Sequence, residues 1–352
     1  MPRFFSLRGR MVLMGKGGKL HKILITGIGG PAGVSVAESL RRSGDSYYLI
    51  GVDCDPYSPG RFMADQFSTV PPAGDEGFIQ AIMDASEDCE AIFCTVDEEL
   101  PEVAGSLDKF ECRALVPSFE AVSICLDKYE TFKALKSANI QVPNTVTYKV
   151  GDKNILKALD FQSVLDSFNL KSLLEVFGFK YPLLLKPRRG RGSRDVFKIV
   201  NDGEYEAAGT ITRNLEMIIQ EYVEEPEYTI DVLVNEKGEL VACVPRERLR
   251  IKNGLSTVAR TVKDDRFPEI SEKIAKTVGL RYIFNYQCRG PDLKVIEINP
   301  RPAGTLILST MSGINMPKIL IDGDLKPGSY LNKYIDDFWL YRNMNSYTGE
   351  KK

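Results

Sequence analysis

The sequence predicts two architectures in succession: a parallel, doubly wound α/β unit, then an antiparallel α+β unit. Three observations lead there. Short apolar runs alternate with amphipathic stretches from Lys22 to about Cys125. The first of these runs ends in a glycine turn, Gly27-Ile28-Gly29-Gly30. After Tyr181 the apolar segments lengthen and pair as hairpins. Strand–helix alternation of this kind builds a parallel sheet whose functional loops lie at the strands' C-terminal ends. A chain of 352 residues exceeds one small core and suits two or three packed domains.

Taken in order, residues 1–20 are basic, and the apolar stretch Met11 to Met14 is too short for a signal peptide, so they read as a flexible tail. Residues 21–125 form the parallel unit, with strands at Lys22–Thr26, Tyr47–Asp53, Gln66–Val70, Ala91–Thr95 and Ala114–Val116, and a helix over Val34–Arg42. Residues 126–322 form the second unit, opening with a helix over Lys128–Ala138 that the Asn139-Ile140-Gln141-Val142-Pro143 turn ends. Segment 150–180 is polar and helical, an insertion. Ile230–Val244 is a hairpin turning at Glu236-Lys237-Gly238, and a second hairpin turns at Gly290-Pro291. Within this unit a small lobe is expected over about 145–222 and a larger one over about 223–322. Residues 323–352, with the only tryptophan (Trp339), read as a C-terminal tail or packing arm.

Composition narrows the chemistry. The chain is 43% apolar and 27% charged with net charge −2, so no global basic field points to nucleic acid. Seven scattered cysteines without a C-x-x-C pair read as reduced thiols of a cytoplasmic protein. No apolar run reaches the roughly 20 residues of a membrane span. With His21 the single histidine, a His-based triad or multi-His metal site is not available. Carboxylates, amides, lysines and arginines must do the work.

Three motifs of the second unit supply them. Leu183-Leu184-Leu185-Lys186-Pro187 ends an apolar strand in a lysine and runs into Arg188-Arg189-Gly190-Arg191-Gly192-Ser193. Glycines expose backbone N–H groups and lysine adds a point charge, which suits a polyphosphate; a solvated basic turn is the plainer alternative. Met217–Val223 is an apolar strand before Glu224-Glu225-Pro226-Glu227. Such a hinge can offer backbone groups to an adenine edge and a carboxylate to ribose hydroxyls, or be an acidic turn. The third motif, Gln287 to Arg301, is the most specific. Glu297 and Asn299 lie two apart and share a strand face, and Gln287 on the preceding strand can face them. One carboxylate and two amide oxygens are hard ligands that suit Mg²⁺ held jointly with nucleotide phosphates. The apolar neighbours Val295, Ile296 and Ile298 argue against a solvent-facing strip.

Other residues point to substrate. Arg246, Arg248 and Arg250 alternate along one strand, as a carboxylate or phosphate clamp or as the charges that keep an edge soluble. Asp97, Glu98 and Glu99 follow a strand of the parallel unit at its functional end. The turn from Gly27 to Gly33, with Asp53 twenty residues beyond Gly33, loosely fits a dinucleotide fingerprint, but Pro31 breaks the usual turn.

Together these residues resemble the ATP-grasp superfamily, and within it the synthetase halves of the carbamoyl-phosphate synthase large chain, over roughly Lys22 to Asp322. The resemblance implies a Rossmann-like pre-ATP-grasp domain followed by a two-lobed ATP-grasp fold, with ATP and Mg²⁺ (or Mn²⁺) between the lobes. It implies that Lys128 and Lys186 contact phosphates, that Gly190, Gly192 and Ser193 belong to the loop over them, and that Glu221, Tyr222 and Val223 form the adenine hinge with Glu227 on ribose. It further implies Gln287, Glu297 and Asn299 as metal ligands and Arg301 beside the transferred phosphoryl group, with Lys186 and Arg301 catalytic. The substrate side falls to Arg246, Arg248 and Glu99. Two departures stand out. Arg194-Asp195 replace a usual loop glycine, and Gly304 stands where the synthase half keeps an arginine. The expected activity is therefore an ATP-dependent carboxylate–amine (or ammonia) ligase acting through an acylphosphate. Phosphorylation of bicarbonate or carbamate, and a non-catalytic nucleotide-binding protein, are the alternatives. Expected partners are small-molecule carboxylates and amines, with no nucleic acid and no membrane, and a homodimer is left open.

Overall fold

The computed structural model describes residues 5–7, 10–12, 20–43, 47–148, 178–190, 194–212 and 215–343. The expected insertion lies almost wholly outside the described residues, as do Gly192 and Ser193. Near the start, Phe5–Leu7 (β1) pairs antiparallel with Arg10–Val12 (β2).

Five parallel strands follow: His21–Thr26 (β3), Tyr47–Asp53 (β4), Gln66–Thr69 (β5), Ala91–Phe93 (β6) and Arg113–Ala114 (β7), in the order β5-β4-β3-β6-β7. The order reverses between β3 and β6, which opens a crevice at the C-terminal ends of these two strands. Both faces are apolar, as a buried parallel sheet requires. Ile23 and Ile25 pack with Val36 and Leu40 on one side, Leu24 with Phe78 and Ile82 on the other. The helices are Pro31–Arg41 (α1), Phe78–Ser86 (α2), Leu100–Ala104 (α3) and Phe119–Leu126 (α4). Helix α1 begins three residues before the expected Val34, because Pro31 sits in its first turn, where a missing N–H costs nothing. Lys128–Ser137 (α5), capped by Asp127, leads into the second unit.

A four-stranded antiparallel sheet comes next: Thr145–Tyr148 (β8), Leu183–Pro187 (β9), Phe197–Ile199 (β10) and Met217–Glu221 (β11), in the order β10-β9-β11-β8. Asp202–Ile211 (α6) covers it, and Leu183, Leu185, Ile199, Met217 and Ile219 make its small core. Period-two alternation turns Lys186 away from that core.

The largest sheet has six antiparallel strands: Glu227–Val234 (β12), Leu240–Lys252 (β13), Leu255–Thr261 (β14), Tyr282–Arg289 (β15), Lys294–Asn299 (β16) and Trp339–Tyr341 (β17), in the order β16-β15-β12-β13-β14-β17. One face is apolar and packs on Arg266–Val278 (α7), through Ile230, Val232, Phe284, Tyr286 and Ile298 against Phe267, Ile274 and Val278. The other face changes along its length. Leu233, Val244 and Ile283 join the core of α1 and of Met316–Asp322 (α9), which helix Ile307–Met311 (α8) precedes. Beyond them the same face turns polar. No helix among the described residues is long and apolar enough to cross a membrane.

Where that face changes character lies a fully buried ion pair. Asp231 takes Arg246 Nε and Nη2 at 2.8 and 2.7 Å, and Ser309 Oγ of α8 at 2.5 Å. Arg246 Nη1 also donates to Thr305 Oγ1. The pair therefore ties β12 and β13 to the segment that follows β16. Replacing Asp231 by Ala leaves a buried guanidinium without its counter-ion, so urea denaturation should show a loss of about 3–5 kcal/mol. A loss below about 1 kcal/mol would mean that the pair contributes little.

Candidate active site

Cross-strand register assembles the polar face into rows. Glu297 pairs with Gln287, Gln287 with Thr229, Thr229 with Arg246 and Arg246 with Thr261, across β16-β15-β12-β13-β14. Two residues along, Asn299 pairs with Asn285 and Asn285 with Asp231. Directly opposed side chains lie roughly 5 Å apart at Cβ, so Gln287 faces Glu297 as the spacing predicts. Asn299 Nδ2 donates to Asn285 Oδ1 at 3.3 Å, and Asn285 Nδ2 donates to the Arg301 carbonyl at 2.9 Å. This chain fixes the Asn299 amide with its nitrogen engaged and its oxygen left to accept or ligate. Among the described residues the side chains of Gln287 and Glu297 make no hydrogen bond, and no three His, Cys, Asp or Glu residues cluster as a metal site. A hard cation here would thus be held by one carboxylate and two amides, with a ligand's oxygens completing its shell. Sequence reasoning missed Asn285, although its place two residues before Gln287 was a usable signal.

Lys186 faces this row from β9. It is 6% exposed, and its Nζ donates to the Ile296 carbonyl at 3.3 Å and lies 5.4 Å from the Phe132 ring centroid. That carbonyl is available because the β15–β16 register slips between Gln287 and Cys288, leaving Ile296 as the bulged residue. Burial pulls the ammonium from the usual 10.5 to about 7; Glu297 opposes this, while Lys128 and Arg289 add to it. The start of the glycine loop is tied to α5. Lys128 Nζ donates to the Gly190 carbonyl at 2.7 Å, and Arg188 Nε meets both Asp127 oxygens at 2.8 and 2.9 Å. Asp127 also caps α5 and meets Arg189, so one carboxylate joins helix and loop. Neither Asp127 nor Arg188 was singled out from the sequence.

At the hinge, Glu221 is held by Lys294 at 2.6 Å and by the Asn144 N–H at 3.1 Å. Tyr222 lies between Lys198 and Arg289, at 4.0 and 5.6 Å from its ring centroid, and the Val223 carbonyl accepts Arg289 Nη1 at 2.9 Å. Glu227 is buried and engaged by Arg248 Nη1 at 2.7 Å. Arg289 Nε also lies 2.9 Å from Glu227, an ionic contact in which the N–H does not point at the oxygen.

Of the three alternating arginines, Arg246 and Arg248 are buried and paired, whereas Arg250 is exposed. The register breaks between Arg248 and Arg250, so the three do not form one continuous row. Burial lowers the pKa of Arg248, with Glu227 opposing.

The parallel sheet's crevice supplies the remaining wall. Arg301 reaches it by a two-pronged contact with Asp97, at 2.7 and 2.8 Å. Glu99 is buried behind it and accepts Thr26 Oγ1 at the end of β3. The glycine turn is filled by its own chain. Asp53 accepts the Gly29 N–H and Ser58 Oγ, each at 2.9 Å, and a Cβ on Gly29 would stand 1.9 Å from Ser58 Oγ. Asp53 is thus committed to the turn rather than presented to a ribose.

Residues 213–338 match the family described as "ATP-grasp in the biosynthetic pathway with Ter operon", and residues 23–115 match "PylC-like, N-terminal domain". The matched region, residues 213–338, is thus ATP-grasp. The D-alanine–D-alanine ligase of Thermotoga petrophila is 26% identical over 177 residues, covering 47% of this chain and 50% of that protein. The match thus spans half the length of that curated relative. N5-carboxyaminoimidazole synthetase from Staphylococcus aureus, solved with ADP, superposes with a TM-score of 0.67 at 17% identity, over 88% of this chain and 79% of that one. The biotin carboxylase domain of Hydrogenobacter thermophilus 2-oxoglutarate carboxylase, solved with MgADP, ADP and bicarbonate, gives 0.65 at 16% identity, over 91% and 73%.

The Lys186 geometry has a stability signature. Its folded pKa lies below its unfolded one, so carrying the charge costs the folded chain in full below pH about 7, and the cost eases as pH rises toward the unfolded value. Lys186→Met should therefore be more stable than the wild type at neutral pH. The gap should close at roughly 1 kcal/mol per pH unit on going alkaline. Urea midpoints against pH that run parallel for the two proteins would rule this out.

Proposed function

We propose that the chain is an ATP-dependent carboxylate–amine (or ammonia) ligase that acts through an acylphosphate. The observation that carries the reading is the facing of a buried lysine, Lys186, toward a carboxylate–amide row, Gln287, Glu297 and Asn299, with Arg248, Arg289 and Arg301 on the same polar face. Cations of this density suit a polyphosphate whose charge grows during transfer. The ligase relative and the family match over residues 213–338 support the same class.

In this reading ATP lies between the four- and six-stranded sheets. Residues 21–125 are the pre-ATP-grasp domain, about 145–222 the small lobe and about 223–322 the large one. The backbone of Glu221 and Val223 meets the adenine edge beside Tyr222, and Glu227 meets the ribose. Lys128, Lys186 and the loop of Gly190, Gly192 and Ser193 receive the phosphates. Gln287, Glu297 and Asn299 would hold Mg²⁺, or Mn²⁺, which when bound supplies positive charge to the phosphate oxygens. A substrate carboxylate oxygen forms a bond to the γ-phosphorus as the bond to ADP breaks. The amine nitrogen then bonds to the acyl carbon, phosphate departs with the C–O electron pair, and the nitrogen gives up a proton. Arg301, aimed by Asp97, neutralises the phosphoryl group in both steps. Arg246 has no exposed surface and is committed to Asp231 and Thr305, so it and the buried Glu99 support the substrate wall from behind, while Arg248 stands at its edge beside Glu227.

Phosphorylation of bicarbonate or carbamate is the second reading, favoured by the likeness to a structure solved with bicarbonate. Against it stands Gly304 itself, in the place where the synthase half keeps an arginine; a Cβ there would press on Leu255 Cδ2 at 2.7 Å and Pro31 Cβ at 3.0 Å.

ADP release screened over amino acids and small carboxylates should depend on one of them, and hydroxylamine should trap that acid as a hydroxamate. Glu297→Gln with Asn299→Ala should lower turnover at least about a hundredfold with the fold intact. Release driven by bicarbonate alone would replace the ligase reading with the second one. A near-normal rate in the double variant would sink the metal assignment.

A further inference from the structure

The matched family ends at residue 338, and the last described strand begins at Trp339. Strand β17 adds to the edge of β14, with Arg260 opposite Trp339 and Val258 opposite Tyr341. Alternation along it separates two sides. Trp339 and Tyr341 face solvent and stack, with centroids 5.9 Å apart and planes at 12°, and Arg260 lies 5.7 Å from the Trp339 ring. Leu340 and Arg342 turn the other way and are half-buried.

Arg342 is held at both ends. Its backbone N–H donates to the Thr257 carbonyl at 2.9 Å, and its Nη2 donates to the Gly304 carbonyl at 2.9 Å. The same carbonyl accepts Ser35 Oγ of α1 at 2.9 Å. Gly304 is thus the point where α1, β14 and the C-terminal segment meet, and the loop around it is short. Three residues before it, Arg301 is gripped by Asp97; one residue after it, Thr305 is gripped by Arg246. Burial lowers the pKa of Arg342, Glu38 opposes and Arg246 adds to the lowering.

We propose that Arg342 is a positioning residue of the active site: through the Gly304 carbonyl it fixes the loop that aims Arg301, and β17 exists to deliver it. The proposal takes its reaction from the ligase reading. It predicts that Arg342→Ala lowers kcat about tenfold or more with the KM for ATP within roughly twofold, because alignment is lost and nucleotide contacts are kept. Arg342→Lys should recover most of kcat, since one N–H donor and a charge suffice. Trp339, the only tryptophan, reports whether β17 stays paired, and its emission should not shift in either variant. A kcat within twofold of wild type in Arg342→Ala would overturn the proposal. So would an equal loss in both variants with red-shifted emission, which assigns the effect to the strand and not to the guanidinium. If the wild type turns over no carboxylate, the ligase reading fails and the loop is read directly. Amide hydrogen exchange across residues 300–306 must then quicken about tenfold in Arg342→Ala, and unchanged exchange would dispose of the proposal independently.

Discussion

Charge held out of water on one face of the six-stranded sheet is the constraint around which the rest of the molecule is arranged. Asp231 and Arg246 have no exposed surface, and Glu227 and Arg248 have little. Ions so placed are tolerated only when each finds a well-oriented partner. Every such partner here comes from a different element. Asp231 takes Ser309 of α8, Arg246 takes Thr305 of the loop after β16, Glu227 takes arginines from β13 and β15, and Arg301 takes Asp97 from the parallel sheet. The polar face therefore organises the elements around it.

Lys186 shows the opposite economy. Its ammonium sits against one carbonyl and one aromatic ring, with cations nearby and no direct carboxylate contact. Under the proposed ligase reading, a group left this poorly satisfied gains most when a phosphate arrives, and stability is given up for that encounter.

Local patterns carried much of this into the sequence. Strand–helix alternation named the fold class, and the two-residue spacing of Glu297 and Asn299, with Gln287 on the preceding strand, named a shared face that the register reproduces. What stayed hidden was set by distance along the chain. Nothing near Arg301 announces Asp97, which lies 204 residues away, and nothing near Arg188 announces Asp127, 61 residues away. Alternation also misled where the backbone slips. Arg246, Arg248 and Arg250 look like one row in sequence, yet the irregularity after Arg248 leaves Arg250 outside it. The glycine turn looked like a cofactor cradle because its filling, Ser58 and Asp53, comes from the next loop.

The bulge at Ile296 has a consequence for how such a chain can vary. Val295 and Ile298 both pack in the core beneath the sheet although they are an odd number of residues apart, and the bulge is what reconciles them. It uncouples the phase of the hairpin turn from the phase of Glu297 and Asn299. A deletion of Ile296 would restore even alternation from the turn onward and swing Glu297 and Asn299 toward the core unless the turn end swung instead. One residue with no partner opposite it thus decides which face of the strand the two polar side chains take.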